Sequence, residues 1–241
     1  MHMKATARAH PIQGLVKYHG MRDPELRFPY HDSISVCTAP TNTTTTVQWL
    51  DDVDAEGGDQ DTYLIDGEEV EGRAAERIAM VVDHVRDLAG FDHAVRFESE
   101  NSFPSNIGFG SSSSGFAAAA LALVEAAGLD MSLPEVSTVA RRGSSSAARA
   151  VTGAFSHLYA GLNDEDCRSY RLDSDLEDDL KIVAAHVPSY KETEEAHKEA
   201  AESHMFQARV AHIPDQIVEM RDALREASFE RVFKLAEHDS L

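Results

Sequence analysis

The segment most suggestive of chemistry is a loop rich in glycine and serine near the middle of the chain. Residues 103–120 read FPSNIGFGSSSSGFAAAA, so Gly108 and Gly110 precede four serines and a run of small residues. Glycines let the backbone approach a ligand, and free N–H groups at a helix N-terminus favour an anion. The hydroxyls of Ser111 and Ser112 add donors for phosphate oxygens. The loop therefore indicates a phosphate site, although a helix N-cap with a flexible lead-in explains the same residues.

The elements that must hold this loop include both strands and helices. Alternating or β-branched stretches predict strands at residues 5–18, 32–48, 94–99, 154–159 and 180–186. Apolar residues at helical spacing predict helices at residues 72–89, 115–127, 133–140, 144–151 and from 193 to the end. Gly90 is expected to stop the first helix, and Pro214 to open a new helix after Ile213. The acidic stretch 163–179 separates strand-rich from helix-rich sequence and predicts a domain boundary there.

Charge is the strongest signal in the composition. The 241 residues include 42 acidic and 22 basic side chains, for a net charge of −20, and the basic set comprises 16 Arg and 6 Lys. Such a chain repels nucleic acid and anionic membranes, so neither is expected as a partner. An acid excess with little lysine indicates adaptation to high salt, where screening removes the self-repulsion. The alternative is an ordinary acidic cytosolic protein. In so acidic a chain, an anionic ligand would need a binding site with a local excess of basic side chains.

Cysteine and histidine usage predict a cytoplasmic protein that holds no metal of its own. Cys37 and Cys167 form no CxxC pattern, which disfavours a disulfide scaffold and fits a reducing compartment. No apolar run approaches the roughly 18–20 residues of a membrane span, and the N-terminus has no secretory signal pattern. His197 and His204 share a face of a predicted helix without a third ligand. We therefore interpret the twelve histidines as surface residues.

Four ordered segments resemble the mevalonate diphosphate decarboxylases of the GHMP small-molecule kinase superfamily. The glycine–serine loop, which lacks the lysine of a GxxxxGK[ST] loop, resembles that family's FPTAAGLASSAAGFAAL. Residues 14–23 resemble its IALIKYWGKRD, residues 28–36 its LPTNSSLSV and residues 140–149 its ARxGSGSACR. The resemblance covers nearly the whole chain and is weaker between residues 51 and 100.

The resemblance implies an α+β, GHMP kinase-like fold and an ATP-dependent carboxy-lyase. Residues 1–175 would form a ribosomal protein S5 domain 2-like N-terminal domain, and residues 176–241 the start of a ferredoxin-like C-terminal domain. The family uses ATP with Mg²⁺ to phosphorylate a tertiary alcohol; loss of that phosphate drives departure of CO₂ and leaves an alkene. Its catalytic Asp lies in a later glycine-rich motif, so we expect this chain to be incomplete. The family is often dimeric, which makes a homodimer an expected assembly.

Site residues follow from the same resemblance. Lys17 matches the family's lysine near the transferring phosphate, and Arg149 matches its carboxylate-holding arginine; these are the predicted catalytic residues. Ser144 and Ser146 match the serines that flank this arginine and are predicted to bind substrate. The predicted ATP-binding residues are Gly108, Gly110, Ser111 and Ser112. No residue is assigned to the family's catalytic Asp, and we expect Asp23, Asp32 and Asp239 to be solvated or structural.

Departures from the family concentrate where it binds the terminal diphosphate of its substrate. Tyr18 is kept, but His19 replaces Trp and Met21 replaces the second Lys of KYWGK. Tyr190 and Lys191 replace a Ser-Arg pair, and a Lys cannot reproduce the bidentate fork of an Arg. With less charge and less room, the predicted substrate is mevalonate 5-phosphate, and the predicted product is isopentenyl phosphate. Tyr18, Tyr190 and Lys191 are its predicted contacts.

Three alternatives remain at this stage. The first is decarboxylation of mevalonate 5-diphosphate to isopentenyl diphosphate. The second is a mevalonate 3-kinase, which would stop at phosphoryl transfer and release no CO₂. The third is a ligand-binding or regulatory protein that keeps the fold without turnover. It would bind ATP without forming ADP.

Overall fold

The computed structural model describes residues 3–50, 60–104, 108–185 and 193–240. Its strands are β1 (Lys4–Ala9), β2 (Ile12–Val16), β3 (Met21–Asp23), β4 (Phe28–Pro29), β5 (Ser33–Cys37), β6 (Thr43–Leu50), β7 (Thr62–Ile65), β8 (Glu68–Glu69), β9 (Ala94–Asn101), β10 (Phe155–Leu158) and β11 (Ser169–Leu172). Its helices are α1 (Gly72–Ala89), α2 (Ser111–Ala127), α3 (Leu133–Gly143), α4 (Ala147–Thr152), α5 (Thr193–Glu202), α6 (Phe206–Arg225) and α7 (Phe229–Ser240).

A five-stranded sheet in the order β1-β6-β9-β7-β8 carries the first core. The β6–β9 pair is antiparallel and β7 runs parallel to β9. Along β6 the side chains alternate between buried and half-buried, as a strand with one covered face requires. Val47 and Trp49 point inward and are fully buried against α1, α2 and α3. This core fixes where α2, and therefore the glycine–serine loop, begins.

Helix α2 lies deep in this core because its residues are small. A run of alanines from Ala117 to Ala127 is almost completely buried, broken only by larger apolar residues and Glu125. Alanine side chains let a helix approach neighbouring backbone closely at little entropic cost. Phe116 packs against the backbone of Gly143 at the end of α3, where a Cβ would lie 2.0 Å from the phenyl ring. The two helix ends are thereby held together.

A four-stranded antiparallel sheet in the order β11-β10-β5-β2 carries the second core. Val16 and Ile34 from the sheet pack with Ile213 and Met220 of α6 and with Val232 of α7. The second core thus joins residues from both sides of the boundary predicted at residues 175 and 176. The division into two domains stays a prediction.

Two predicted features of the C-terminal part are wrong. Residues 180–185 contain no strand: Ile182 and Val183 are exposed, so this apolar run has no sheet to cover. Pro214 lies inside α6 instead of opening a helix. Proline removes one helical hydrogen bond, but Ile213 and Ile217 on either side are buried in the second core, and their packing keeps the helix continuous. No helix in the described part of the chain is long and apolar enough to cross a membrane.

Candidate functional site

A cleft of about 620 Å³ brings together predicted site residues from distant parts of the sequence. Its walls come from β2 and the residues after it, the first turn of α2, the start of α4, and α5. Six predicted residues line it: Lys17, Tyr18, Gly110, Ser112, Ser146 and Arg149. Ser111 lines a neighbouring cavity instead. Ser144 does not line the cleft but is hydrogen-bonded to Ser146, which does. Tyr190 and Lys191 lie outside the described residues.

The glycine–serine loop enters α2 through a left-handed residue. Gly110 is the N-cap with φ of 77°, a conformation that favours glycine, and it supplies no capping side chain. Helix α2 begins at Ser111, four residues before the predicted start, because Ser113 and Ser114 donate back to the carbonyls of Gly110 and Ser111. The serines thus form the first helical turn. That turn contains no acidic residue, so its N–H groups offer a site for an anion.

Two of the four serines hold this turn in place. Ser113 accepts a hydrogen bond from the Ile12 amide at 3.2 Å, which ties the turn to β2. Ser114 lies 2.6 Å from the Thr43 hydroxyl and is fully buried. Ser112, by contrast, is exposed in the cleft. The last two serines of the cluster therefore anchor the turn, whereas Ser112 leaves its hydroxyl exposed to the cleft.

Arg149 is a buried cation aimed at the cleft. It is 2 % exposed, and its guanidinium donates to the Ser33 hydroxyl and lies 5.3 Å from the centre of the Tyr18 ring. No carboxylate pairs with it within the described ranges, and its buried Nε has no hydrogen-bond partner there. Burial lowers the pKa of Arg149 to about 10, so it stays charged at neutral pH. A buried, uncompensated arginine is costly to the apo fold, and an anionic ligand would offset that cost.

The serines before α4 form a short hydroxyl chain next to Arg149. The hydroxyls of Ser144 and Ser146 lie 2.9 Å apart, and Ser146 lines the cleft. Ser145 points the other way and donates to the Arg27 carbonyl at 2.7 Å. The structure therefore places Ser146 beside the cleft and Ser144 as its hydrogen-bond partner.

Lys17 directly follows β2 and is half-buried in the cleft wall. Its stem folds over Gly14, where an added Cβ would lie 2.7 Å from the Lys17 Cγ. Its amide donates to Asp239 at 2.9 Å, and its carbonyl accepts from Arg209 at 2.9 Å. The backbone of this predicted catalytic residue is thus held by side chains of α6 and α7.

Histidines near Tyr18 contradict the interpretation as surface residues. His197 stacks on Tyr18 with ring centres 4.9 Å apart and lines the cleft, while His31 is buried. Burial, reinforced by the charge of Arg209, lowers the pKa of His19 to about 4. His197 and His204 do not share a helix face, because α5 ends at Glu202. Among the described residues, no group of His, Cys, Asp or Glu side chains could hold a metal ion.

A second cavity of about 320 Å³ adjoins the first at Ser112, which lines both. It lies between the five-stranded sheet and α1, with Thr43, Phe97 and Ile78 in its wall. Arg77 at its edge donates to the Gly143 carbonyl and packs on Phe116, 4.9 Å from the ring centre. The first turn of α2 therefore lies between a mainly apolar cavity and a cleft that contains basic residues.

Similarity to known proteins identifies the family. Residues 9–169 match the model of the diphosphomevalonate decarboxylase-like N-terminal domain. The chain belongs to the diphosphomevalonate decarboxylase-like family. It is 74 % identical over 239 residues to the phosphomevalonate decarboxylase of Haloferax volcanii, covering 99 % of this chain and 72 % of that protein. It spans less of the diphosphomevalonate decarboxylases of cattle and Ganoderma lucidum, 60 % and 64 % of their lengths.

Solved structures of the family share this fold. Mevalonate diphosphate decarboxylase from Staphylococcus aureus superimposes with a TM-score of 0.85 at 30 % identity, covering 98 % of this chain and 72 % of that one. A complex of MDDEF with MVAPP, AMPPCP and magnesium superimposes with a TM-score of 0.84 at 25 % identity, with the same coverage. The predicted α+β, GHMP kinase-like fold is confirmed.

Asp23, Asp32 and Asp239, which the sequence predicts to be solvated or structural, each make contacts within the protein. Asp23 accepts from the Leu26 amide at 2.9 Å, and Asp32 accepts from the Ala160 amide at 2.8 Å. Asp239 is buried against Lys17 and Arg209. Sequence reasoning missed Arg209 and the position of His197. No local motif marks either residue: His197 lines the cleft from α5, and Arg209 contacts the backbone of Lys17 from α6.

Proposed function

We propose that the protein binds ATP and mevalonate 5-phosphate and catalyses ATP-dependent decarboxylation to isopentenyl phosphate. The observation that carries the proposal is Arg149: a buried guanidinium without a carboxylate partner in the described residues, facing a cleft shared with the first turn of α2. Arginine forks bind carboxylates in bidentate fashion, and free helix N–H groups bind phosphates. One cleft thus offers separate sites for the two kinds of anion in this reaction.

The residues have distinct roles in the proposed mechanism. The first turn of α2 binds the phosphates of ATP through its amides and the hydroxyls of Ser111 and Ser112. Arg149 and Ser146 hold the substrate carboxylate, and Lys17 stabilises the charge of the phosphoryl group as it moves to the tertiary hydroxyl. The C–O bond to the new phosphate then breaks. The electron pair of the bond to the carboxylate forms the alkene as CO₂ leaves.

The second cavity supports a place for the nucleoside. Its wall is mainly apolar, and it adjoins the phosphate-binding turn at Ser112, as the base and ribose of ATP require. The described residues form no carboxylate cage, so Mg²⁺ would come with the ATP phosphates. The MDDEF complex, which contains AMPPCP and magnesium, supports this assignment.

The monophosphate is favoured over the diphosphate by charge and space. Met21 in β3 supplies no positive charge, and the stacked rings of Tyr18 and His197 take up part of the cleft wall. The high identity to a phosphomevalonate decarboxylase supports the same choice. Tyr190 and Lys191 stay predicted contacts.

The test is CO₂ release by the full-length protein with ATP in molar KCl, offering mevalonate 5-phosphate and its diphosphate in parallel. Release from the monophosphate alone supports the proposal. Equal or better turnover of the diphosphate contradicts the argument from Met21, Tyr190 and Lys191. Formation of ADP without CO₂ would assign the protein to the kinases, and ATP binding without ADP would make it a binding protein.

Cellular setting and assembly are part of the proposal. We infer adaptation to high salt from the net charge of −20, which the Haloferax volcanii relative supports, and a cytoplasmic location from the cysteine usage. At high ionic strength the Debye length falls to a few ångströms, so the acidic surface repels itself less. Activity and melting temperature should both rise between about 0.1 and 2 M KCl. The homodimer stays a prediction, which sedimentation in the same buffers would test.

A further inference from the structure

The backbone of Lys17 is held from two sides by an ion pair between the buried Asp239 and the half-buried Arg209. Asp239 Oδ2 accepts from the Lys17 amide at 2.9 Å, and Arg209 Nη2 donates to the Lys17 carbonyl at 2.9 Å. The two side chains also pair with each other, at 2.8 Å between Arg209 Nη2 and Asp239 Oδ1. Each partner therefore contacts both the other partner and the peptide groups of Lys17.

The two partners come from helices far away in the sequence. Arg209 lies on α6 and Asp239 near the end of α7, whereas Lys17 immediately follows β2. Because Lys17 lies past the end of β2, its polar backbone groups take side-chain partners instead of a neighbouring strand. The position of Lys17 in the cleft wall thus depends on how α6 and α7 pack on the four-stranded sheet.

Two charged side chains are a costly means of satisfying the backbone hydrogen bonds of Lys17, because both charges lose solvation. The Asp239 side chain is 2 % exposed and that of Arg209 is 22 % exposed. Desolvating two charges offsets most of their attraction, and packed apolar residues often stabilise a fold equally well. An ion pair whose two members both contact the backbone of one cleft residue is better explained by the geometry it imposes than by the stability it adds.

Resting on the proposed function, we infer that Asp239 and Arg209 are positioning residues for phosphoryl transfer that act through Lys17. They hold both peptide groups of Lys17 and so fix the direction in which its side chain leaves the backbone, over Gly14 and towards the cleft. Phosphoryl transfer depends on placing positive charge to within a fraction of an ångström. The pair would therefore act on the chemical step more than on substrate binding.

Asp239→Asn is the sharpest test, because it keeps the shape and removes one acceptor. Its amide nitrogen cannot accept from Lys17 or Arg209, so the two bonds cannot both be kept. In the full-length protein we expect kcat with mevalonate 5-phosphate to fall roughly 10- to 100-fold, and KM to stay within about threefold. Arg209→Lys keeps the charge but not the fork, and should lose less. Glu230→Gln, which breaks an exposed pair with Lys234 on the same helix, is the matched control and should leave kcat unchanged.

A second readout does not depend on turnover. Acetylation of Lys17 by an amine reagent, followed by peptide mass spectrometry, reports how firmly its side chain is held. We expect Asp239→Asn to speed Lys17 labelling at least about threefold while Lys4 and Lys234 label at unchanged rates. Unchanged Lys17 labelling, with any loss of kcat matched by loss of folded protein, would overturn the inference. If Asp239→Asn speeds Lys17 labelling but the unsubstituted protein shows no turnover, the positioning of Lys17 is supported and only the proposed function is contradicted.

Discussion

Arg141 and Arg149 are two buried arginines with opposite surroundings. The Arg141 side chain is fully buried, pairs with Asp164, donates to the carbonyls of Cys167 and Leu26, and stacks on an aromatic ring. Arg149 is just as deeply buried, yet within the described residues it donates only to Ser33 and leaves Nε without a partner. They lie on the successive helices α3 and α4.

The difference separates a structural cation from one whose donors are available to a ligand. Each of the three guanidinium nitrogens of Arg141 has a protein partner, so Arg141 ties α3 to the loop before β11. An unsatisfied guanidinium in a cleft costs the apo fold stability and keeps its donors available. Burial alone therefore does not mark a site; the number of donors left over does.

The largest expected effect is that of Arg149→Met on turnover. Losing the fork that we propose holds the substrate carboxylate should lower kcat/KM for mevalonate 5-phosphate about 10³-fold, equivalent to about 4 kcal/mol. The free energy of unfolding should stay level or rise, because an uncompensated buried charge is removed. Measuring CO₂ release tests the expected loss of kcat/KM, and denaturant unfolding of the full-length variant tests the expected stability. A large loss of stability would make Arg149 structural, like Arg141.

Arg141→Met should show the reverse pattern. It leaves two carbonyls without their donor and weakens the pairing of Asp164, so the free energy of unfolding should fall by about 3 kcal/mol. The turnover of the protein that remains folded should change little. Urea unfolding, with active-site titration to count folded molecules, separates the two effects. A loss of kcat in a fully folded sample would contradict the comparison.

The sequence does not reveal which of the two arginines has a carboxylate partner. The predicted helices 133–140 and 144–151 include Arg149 but end before Arg141, and nothing in the spacing of ARRGSSSAAR tells which arginine pairs with Asp164. That pairing depends on a contact between α3 and residues more than twenty positions away. The family resemblance singled out Arg149, and the structure shows that it is buried without a carboxylate partner among the described residues.

Local patterns predicted much of the fold and failed where tertiary contacts decide. Helix α1 was predicted at the observed residues, because its amphipathic spacing ends at Gly90 in a left-handed conformation. The strand β11 was missed because SYRL is short and half polar, and it exists by pairing with β10. Pro214 was misassigned because the packing around it outweighs its local preference. The Lys17–Asp239 contact joins residues 222 positions apart, which no local pattern reports.

Ser112 and Ser114 show the same contrast between a residue available to a ligand and a structural one, with smaller expected effects. Ser112→Ala removes a donor that faces the cleft, so KM for ATP should rise roughly 2- to 10-fold at unchanged stability. Ser114→Ala removes the buried partner of Thr43 and should lower the free energy of unfolding by about 1 kcal/mol at unchanged KM. Thr43 keeps a second contact, to Asn101, which limits that loss. Steady-state kinetics and urea unfolding of the two variants test the pair, and identical behaviour would contradict the distinction.

The smallest effect concerns histidine pKa values near each arginine. Burial and then the charges of Arg27 and Arg149 hold the pKa of His197 below its usual 6.5. Burial and Arg142 do the same for His84, where Arg141 also lowers the pKa and Asp164 opposes it. Both folded-state pKa values lie below those of the unfolded chain, so the free energy of unfolding falls as the pH drops below 6.5.

Arg149→Met should therefore raise the pKa of His197 and leave His84 unchanged, and Arg141→Met should move His84 alone. Titration of the histidine Cε1 signals by NMR would follow both reporters in one sample. The His84 shift should be the smaller one, because Asp164 already offsets part of the charge of Arg141. Since a bound carboxylate neutralises Arg149, substrate should shift His197 in the same direction as the substitution. Parallel movement of both histidines in either variant would indicate general loosening and remove the distinction between the two arginines.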